Sequence, residues 1–112
     1  MSDELLPVIV TMPAEIDITN ADEIPELITV ACAPGVTVIV ADLTGTTFCD
    51  SGGLQRLIQA SRKATAAGAE LRLAVLPGGA VSRVIELTGL GQYLPVYSSA
   101  ELAAGTTAQA PG

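Results

Sequence analysis

The sequence predicts an α/β fold built around one layered sheet. Three observations carry that prediction. Short β-branched runs alternate with amphipathic helical stretches from residue 8 to residue 97, the pattern of strands joined by right-handed helical crossovers. The run Val36 to Leu43 is apolar at the consecutive positions Val38, Ile39 and Val40, as in a central strand covered on both faces. Only Phe48, Tyr93 and Tyr97 are aromatic although 49% of the residues are hydrophobic, so the core must be aliphatic. A chain of 112 residues suits one domain.

The elements follow in order. Pro7 to Met12 is a β-branched strand, and Glu15 to Ile18 a second, short one. Asn20 and Asp22 are both good helix caps, and Asn20-x-x-Glu23 has the spacing of a capping box. The helix that follows carries Ile24, Leu27, Ile28 and Ala31 on one face. Pro25 is tolerated only in its first turn, and Pro34-Gly35 ends it. After the central strand, 44–47 is a loop. A second helix begins near Ser51, with Leu54, Leu57, Ile58 and Ser61 inward and Gln55, Arg56, Gln59, Arg62 and Lys63 outward. Ala67-Gly68 closes it. Leu71 to Leu76 is the next strand, and Pro77-Gly78-Gly79 turns the chain. Val81, Val84, Ile85 and Thr88 mark a third helix ended by Gly89. Leu94 to Tyr97 is a last strand, which Pro95 assigns to an edge. Ser99 to Ala104 starts a fourth helix. The expected division is a domain over residues 1–104 and a flexible tail over 105–112.

Composition excludes several function classes. The chain has no histidine, so it holds no Ser-His-Asp triad, no Cys-His pair and no histidine metal ligand. No metal, cofactor or catalytic residue is expected. The net charge is −7, and residues 1–50 carry nine acids and no base. All five bases lie between Arg56 and Arg83. Such a balance disfavours direct nucleic-acid contact and anionic membranes, and favours a protein partner with a basic patch. Cys32 and Cys49 form no Cys-x-x-Cys pair and read as small buried residues of a reducing compartment. Met1-Ser2-Asp3-Glu4 is acidic where a secretory leader is basic, and no apolar run nears the ~20 residues of a membrane span. The expected location is therefore cytoplasmic, without membrane insertion.

Asp50-Ser51-Gly52-Gly53 sits where a strand and its loop feed a helix N-terminus. Amides there lack intrahelical partners and the helix dipole is positive. Three readings stand open on spacing alone. Asp50 is an N-cap and the glycines allow a tight turn; or the open amides hold a phosphorylated ligand, although both common glycine-rich phosphate loops are missing; or Ser51 is itself modified, placing about −1.5 to −2 units of charge at the helix start.

Several stretches together resemble the STAS domain family, and within it the bacterial anti-sigma-factor antagonists. They are Glu15-Ile16-Asp17 with Asn20, the strand ending in Asp42-Leu43, Asp50-Ser51-Gly52-Gly53-Leu54, and Val81 to Gly89-Leu90. The resemblance spans residues 7–104. It implies a small mixed β-sheet with helices packed mainly on one side. It also implies a regulatory binding protein rather than an enzyme. Such a protein binds an anti-sigma factor of the serine-kinase, histidine-kinase-like ATPase type and so releases a sigma factor. Phosphorylation of the serine after the motif aspartate ends the binding; here that serine is Ser51. Asp17 and Asp50 correspond to the acidic flanks of the acceptor, and Asn20 lies at the same surface; Gly52 and Gly53 beside the acceptor and the outer-face base Arg56 are expected to meet the partner as well. The chain departs from the pattern at Gly52, where a second hydroxyl residue is usual, and at Ala14, where Gly is usual. A monomer or weak dimer is expected. The family also includes accessory subunits of membrane transporters for lipids or anions, in which no serine kinase acts; an intact acceptor at Ser51 favours the antagonist. An enzyme using Ser51 or Cys49 would need Lys63 as base, about 18 Å from Ser51 along the helix at 1.5 Å per residue.

Overall fold

The alternation of strand and helix becomes a sheet that grows in one direction. In the computed structural model, which describes residues 7–105, the elements are β1 (Pro7–Thr11), β2 (Glu15–Ile16), α1 (Glu23–Ala31), β3 (Val38–Asp42), β4 (Phe48–Cys49), α2 (Ser51–Ala66), β5 (Glu70–Ala74), α3 (Ala80–Thr88), β6 (Val96–Tyr97) and α4 (Ala100–Ala104). The main sheet has the order β1-β3-β5-β6. Each crossover helix adds the next strand on the same side, and crossovers of one hand then place their helices on one face. Ile39, Ala41, Leu71 and Leu73 accordingly pack with Ile24 and Ile28 of α1, Leu54 and Leu57 of α2, and Val81 and Ile85 of α3. The opposite face is smaller. Val38, Val40 and Ala74 meet Ala103 and Ala104 of α4 there, and Arg72 Nη1 donates to the carbonyl of Ala103 at 2.8 Å. Strand β3, buried at Val38, Ile39, Val40 and Ala41, is the central strand that its unbroken apolar run predicts.

The expected mixed sheet is corrected. Among the described residues every strand pair is parallel, because each link between paired strands of the main sheet carries a helix, whereas an antiparallel neighbour would follow a hairpin. Pro95 does precede an edge strand, β6.

Other differences are local. β4 was not anticipated: its two residues pair with β2, Glu15 with Phe48 and Ile16 with Cys49. β2 stops at Ile16 rather than Ile18, because Asp17 turns the chain by accepting from the Thr19 amide at 2.9 Å. The Asn20–Glu23 capping box does not form. Asp22 is the N-cap of α1 without a side-chain cap bond, and Asn20 is engaged elsewhere, as described below. Leu27, on the expected inner stripe, is 37% exposed. In α2, Ala60 and Ala64 are buried where Ile58 and Ser61 are only half-buried. A 3-10 turn, Leu90–Gln92, follows α3. Gly68 and Gly89, with φ of 89° and 74°, end α2 and α3 in the left-handed conformation that glycine adopts at no steric cost. Of the expected tail, residues 106–112 lie outside the described residues. Among the described residues no helix is long and apolar enough to cross a membrane.

Candidate functional site

The site is built by two chain segments that run side by side past the ends of β1 and β3. The Met12 amide donates to Asp42 O at 3.0 Å, the Thr47 amide to Ala14 O at 2.8 Å, and the Asp50 amide to Ile16 O at 3.3 Å. The Thr46 hydroxyl, almost fully buried, donates to Pro13 O at 2.7 Å. These bonds, with the β2–β4 pair, set the turn after Ile16 against the start of α2.

The turn is held by two side chains. The Asp17 carboxylate accepts from the amide and the hydroxyl of Thr19, and these bonds hold its pKa below the ordinary carboxylate value. Asn20 Oδ1 accepts from the Asp17 amide at 3.0 Å, while its Nδ2 donates to Glu15 O at 2.7 Å. The tip of the turn presents Ile18, 88% exposed.

Asp50 has extended backbone geometry, and its Oδ1 accepts from the Gly53 amide at 2.8 Å. That is an N-cap. The bond also occupies one of the orphan amides with the protein's own carboxylate. Ser51 is exposed in the first turn of α2, beside amides that no helical carbonyl reaches.

The two glycines differ in kind. A Cβ on Gly52 would meet only Asp50 Oδ1 at 3.4 Å. A Cβ on Gly53 would stand 2.6 Å from Ile16 Cγ2 and 2.9 Å from Cys49 Sγ. Gly53 is thus buried under β2, and lets the helix start pack against the β2–β4 pair instead of offering a contact surface. Cys49 is buried too. Desolvation first, and the Asp50 charge second, push its thiol up to about 11, so it is no thiolate nucleophile at neutral pH.

Two clefts flank the start of α2 and share Gln55. One, of about 250 Å³, is lined by Ile18, Ala21, Asp22, Asp50, Gly52 and Arg56; Arg56 Nη2 lies 2.6 Å from Asp22 Oδ1. The other, of about 150 Å³, is lined by Ser51, Leu54, Ile58, Thr88, Leu90 and Tyr93. Among the described residues no group of three or more potential ligands could hold a metal ion.

Against known families, the model of the STAS domain matches residues 2–103. The chain belongs to the STAS domain family. No curated protein matches this STAS domain significantly. Among solved structures it is similar to an anti-sigma factor antagonist from Mycobacterium paratuberculosis, with 27% identity and a TM-score of 0.73 over 89% of this chain and 82% of that one. It shares its fold with the phosphorylated form of the Bacillus cell fate determinant SpoIIAA, at 23% identity and a TM-score of 0.58 over 90% of each chain. It shares it also with part of the murine anion transporter Slc26a9, at 20% identity and a TM-score of 0.71 over 93% of this chain and 18% of the transporter.

Of the residues singled out from sequence, Asp50, Gly52 and Arg56 of this STAS domain line one cleft, and Asp17 and Asn20 shape the turn that carries its Ile18 rim. Ser51 stands on the rim of the other cleft, and Gly53 lies beneath. Four contributors were missed. Asp22 read only as a helix cap; its pairing with Arg56 is tertiary. Ile18 read as a strand residue, and its isolated apolar side chain next to Asp17 was the one available signal. Leu90 and Tyr93 come to the site through the 3-10 turn, which leaves no periodicity to detect.

Proposed function

We propose that this STAS domain is an anti-sigma-factor antagonist. In this reading it binds an anti-sigma factor of the serine-kinase, histidine-kinase-like ATPase type, releases a sigma factor, and is switched off by phosphorylation at Ser51. The observation that carries the reading is the exposed Ser51 at the first position of α2, flanked by the capping Asp50 and by two clefts. Likeness to the mycobacterial antagonist over most of both chains supports the general role. The fold shared with the anion transporter carries no argument for a transporter subunit.

Magnitudes explain how one phosphate could spare the fold and break the complex. At a helix N-terminus a negative group is favoured by about 0.3–1 kcal/mol. Neighbouring Asp50 opposes it, so the folded domain changes little. Burying a phosphate dianion in an interface costs several kcal/mol per ion unless it is fully paired. The penalty falls on docking and exceeds the helix term. The protein acts as a substrate and a switch, with Asp17 and Asn20 holding the turn, and Ile18, Asp50, Gly52 and Arg56 meeting the partner.

The test is a paired capture from native lysate with wild-type and Ser51→Asp baits, read by mass spectrometry. An ATP-binding anti-sigma kinase held by wild type and lost by Ser51→Asp is expected. Equal capture of a transporter subunit by both baits would replace the reading.

A further inference from the structure

The main sheet ends at β1, which among the described residues pairs only with β3. An edge strand offers a row of unpaired amides and carbonyls, and proteins usually blunt such an edge with charge or proline. This one, Pro-Val-Ile-Val-Thr, has no charge and its proline stands at the first position. Beside it runs a groove of about 710 Å³ between β1 and α1. Four consecutive residues of β1, Val8 to Thr11, line one wall. Leu27 and Val30 of α1 form the other, with Val30 83% exposed. Glu23 and Glu26 are the charged residues of the lining, in a half of the chain without a base.

We infer that the β1–α1 edge is a second docking surface, and that its occupant is an extended segment of another protein, added to β1 as a strand, whose groove-facing alternate residues are in turn apolar and basic. The edge, open among the described residues, supplies main-chain hydrogen bonds, the groove takes alternate side chains, and Glu23 and Glu26 select lysine or arginine at its rim. A second copy of this chain is disfavoured as occupant, because each would bring the same glutamates and a net charge of −7. The inference does not rest on Ser51, which lies at the start of α2.

The probe is a capped peptide with valine and lysine in turn at every second position and threonine between them, titrated into the full chain and followed by calorimetry and backbone NMR. Saturable binding is expected, with shifts centred on Val8 to Thr11, loss at high salt, and weakening of at least about fivefold in Glu23→Lys/Glu26→Lys. Val30→Lys, at an exposed position, should weaken it without lowering thermal stability. Absence of binding would overturn the inference. So would tighter binding of a helix-locked basic peptide, binding only after deletion of residues 1–6, or a dimer that Val30→Lys dissolves.

Discussion

Gly53 and Gly52 are adjacent letters with opposite physical roles. At Gly53 an added methyl meets Ile16 and Cys49 at under 3.0 Å. Overpacking of this kind costs about 1–3 kcal/mol, so Gly53→Ala should lower the melting temperature by several degrees, whereas Gly52→Ala should leave it nearly unchanged. Thermal denaturation of the two variants checks this directly. Asp50→Ala removes the N-cap and should cost about 0.5–2 kcal/mol, whether or not Ser51 is modified. The Cys49 thiol, raised to about 11, should resist alkylation in the native protein at neutral pH and react only on unfolding. Asp17 gives the opposite linkage. Its folded pKa lies below the ordinary value, so its stabilising bonds are present at neutral pH and are lost as pH falls through the lowered pKa. Asp17→Asn should flatten that acid limb in a pH series of denaturant unfolding.

At the scale of elements, β3 and the Leu54 and Leu57 part of the α2 stripe were legible because burial on both faces and a helical period both leave marks in local sequence. The two-residue strand β4 left none, and β2 was legible only as a longer run. A pair so short is fixed by its partner, not by propensity, and the Thr46–Pro13 bond that brings the segments together joins residues 33 apart. Asn20 shows the same limit. Its spacing to Glu23 fits a capping box, yet its amide group bridges Glu15 and Asp17, satisfying backbone groups of the turn instead. Asn20→Ala should therefore act on the turn, costing about 0.5–1.5 kcal/mol per lost bond. NMR should place its shift changes between Glu15 and Ile18, with the amides of α1 little affected. The exposed serine at the start of a helix was legible from Asp50-Ser51-Gly52-Gly53, while the clefts beside it were not, because Asp22, Leu90 and Tyr93 reach them from separate elements.

For the whole molecule, the one-directional sheet puts α1, α2 and α3 on one face and leaves the start of α2 at its end. The first half of the chain supplies acids there, and Arg56 answers one of them. The central claim is that Ser51 is a covalent switch on this surface. The most direct measurement is incubation of the purified protein with its captured kinase and ATP, followed by intact mass, site mapping and affinity of the product. The account predicts one phosphate, on Ser51, none on Ser51→Ala, and affinity for the kinase reduced at least about tenfold, some 1.4 kcal/mol. Phosphate on another residue, or a Ser51-phosphorylated protein that binds as tightly as before, would contradict it.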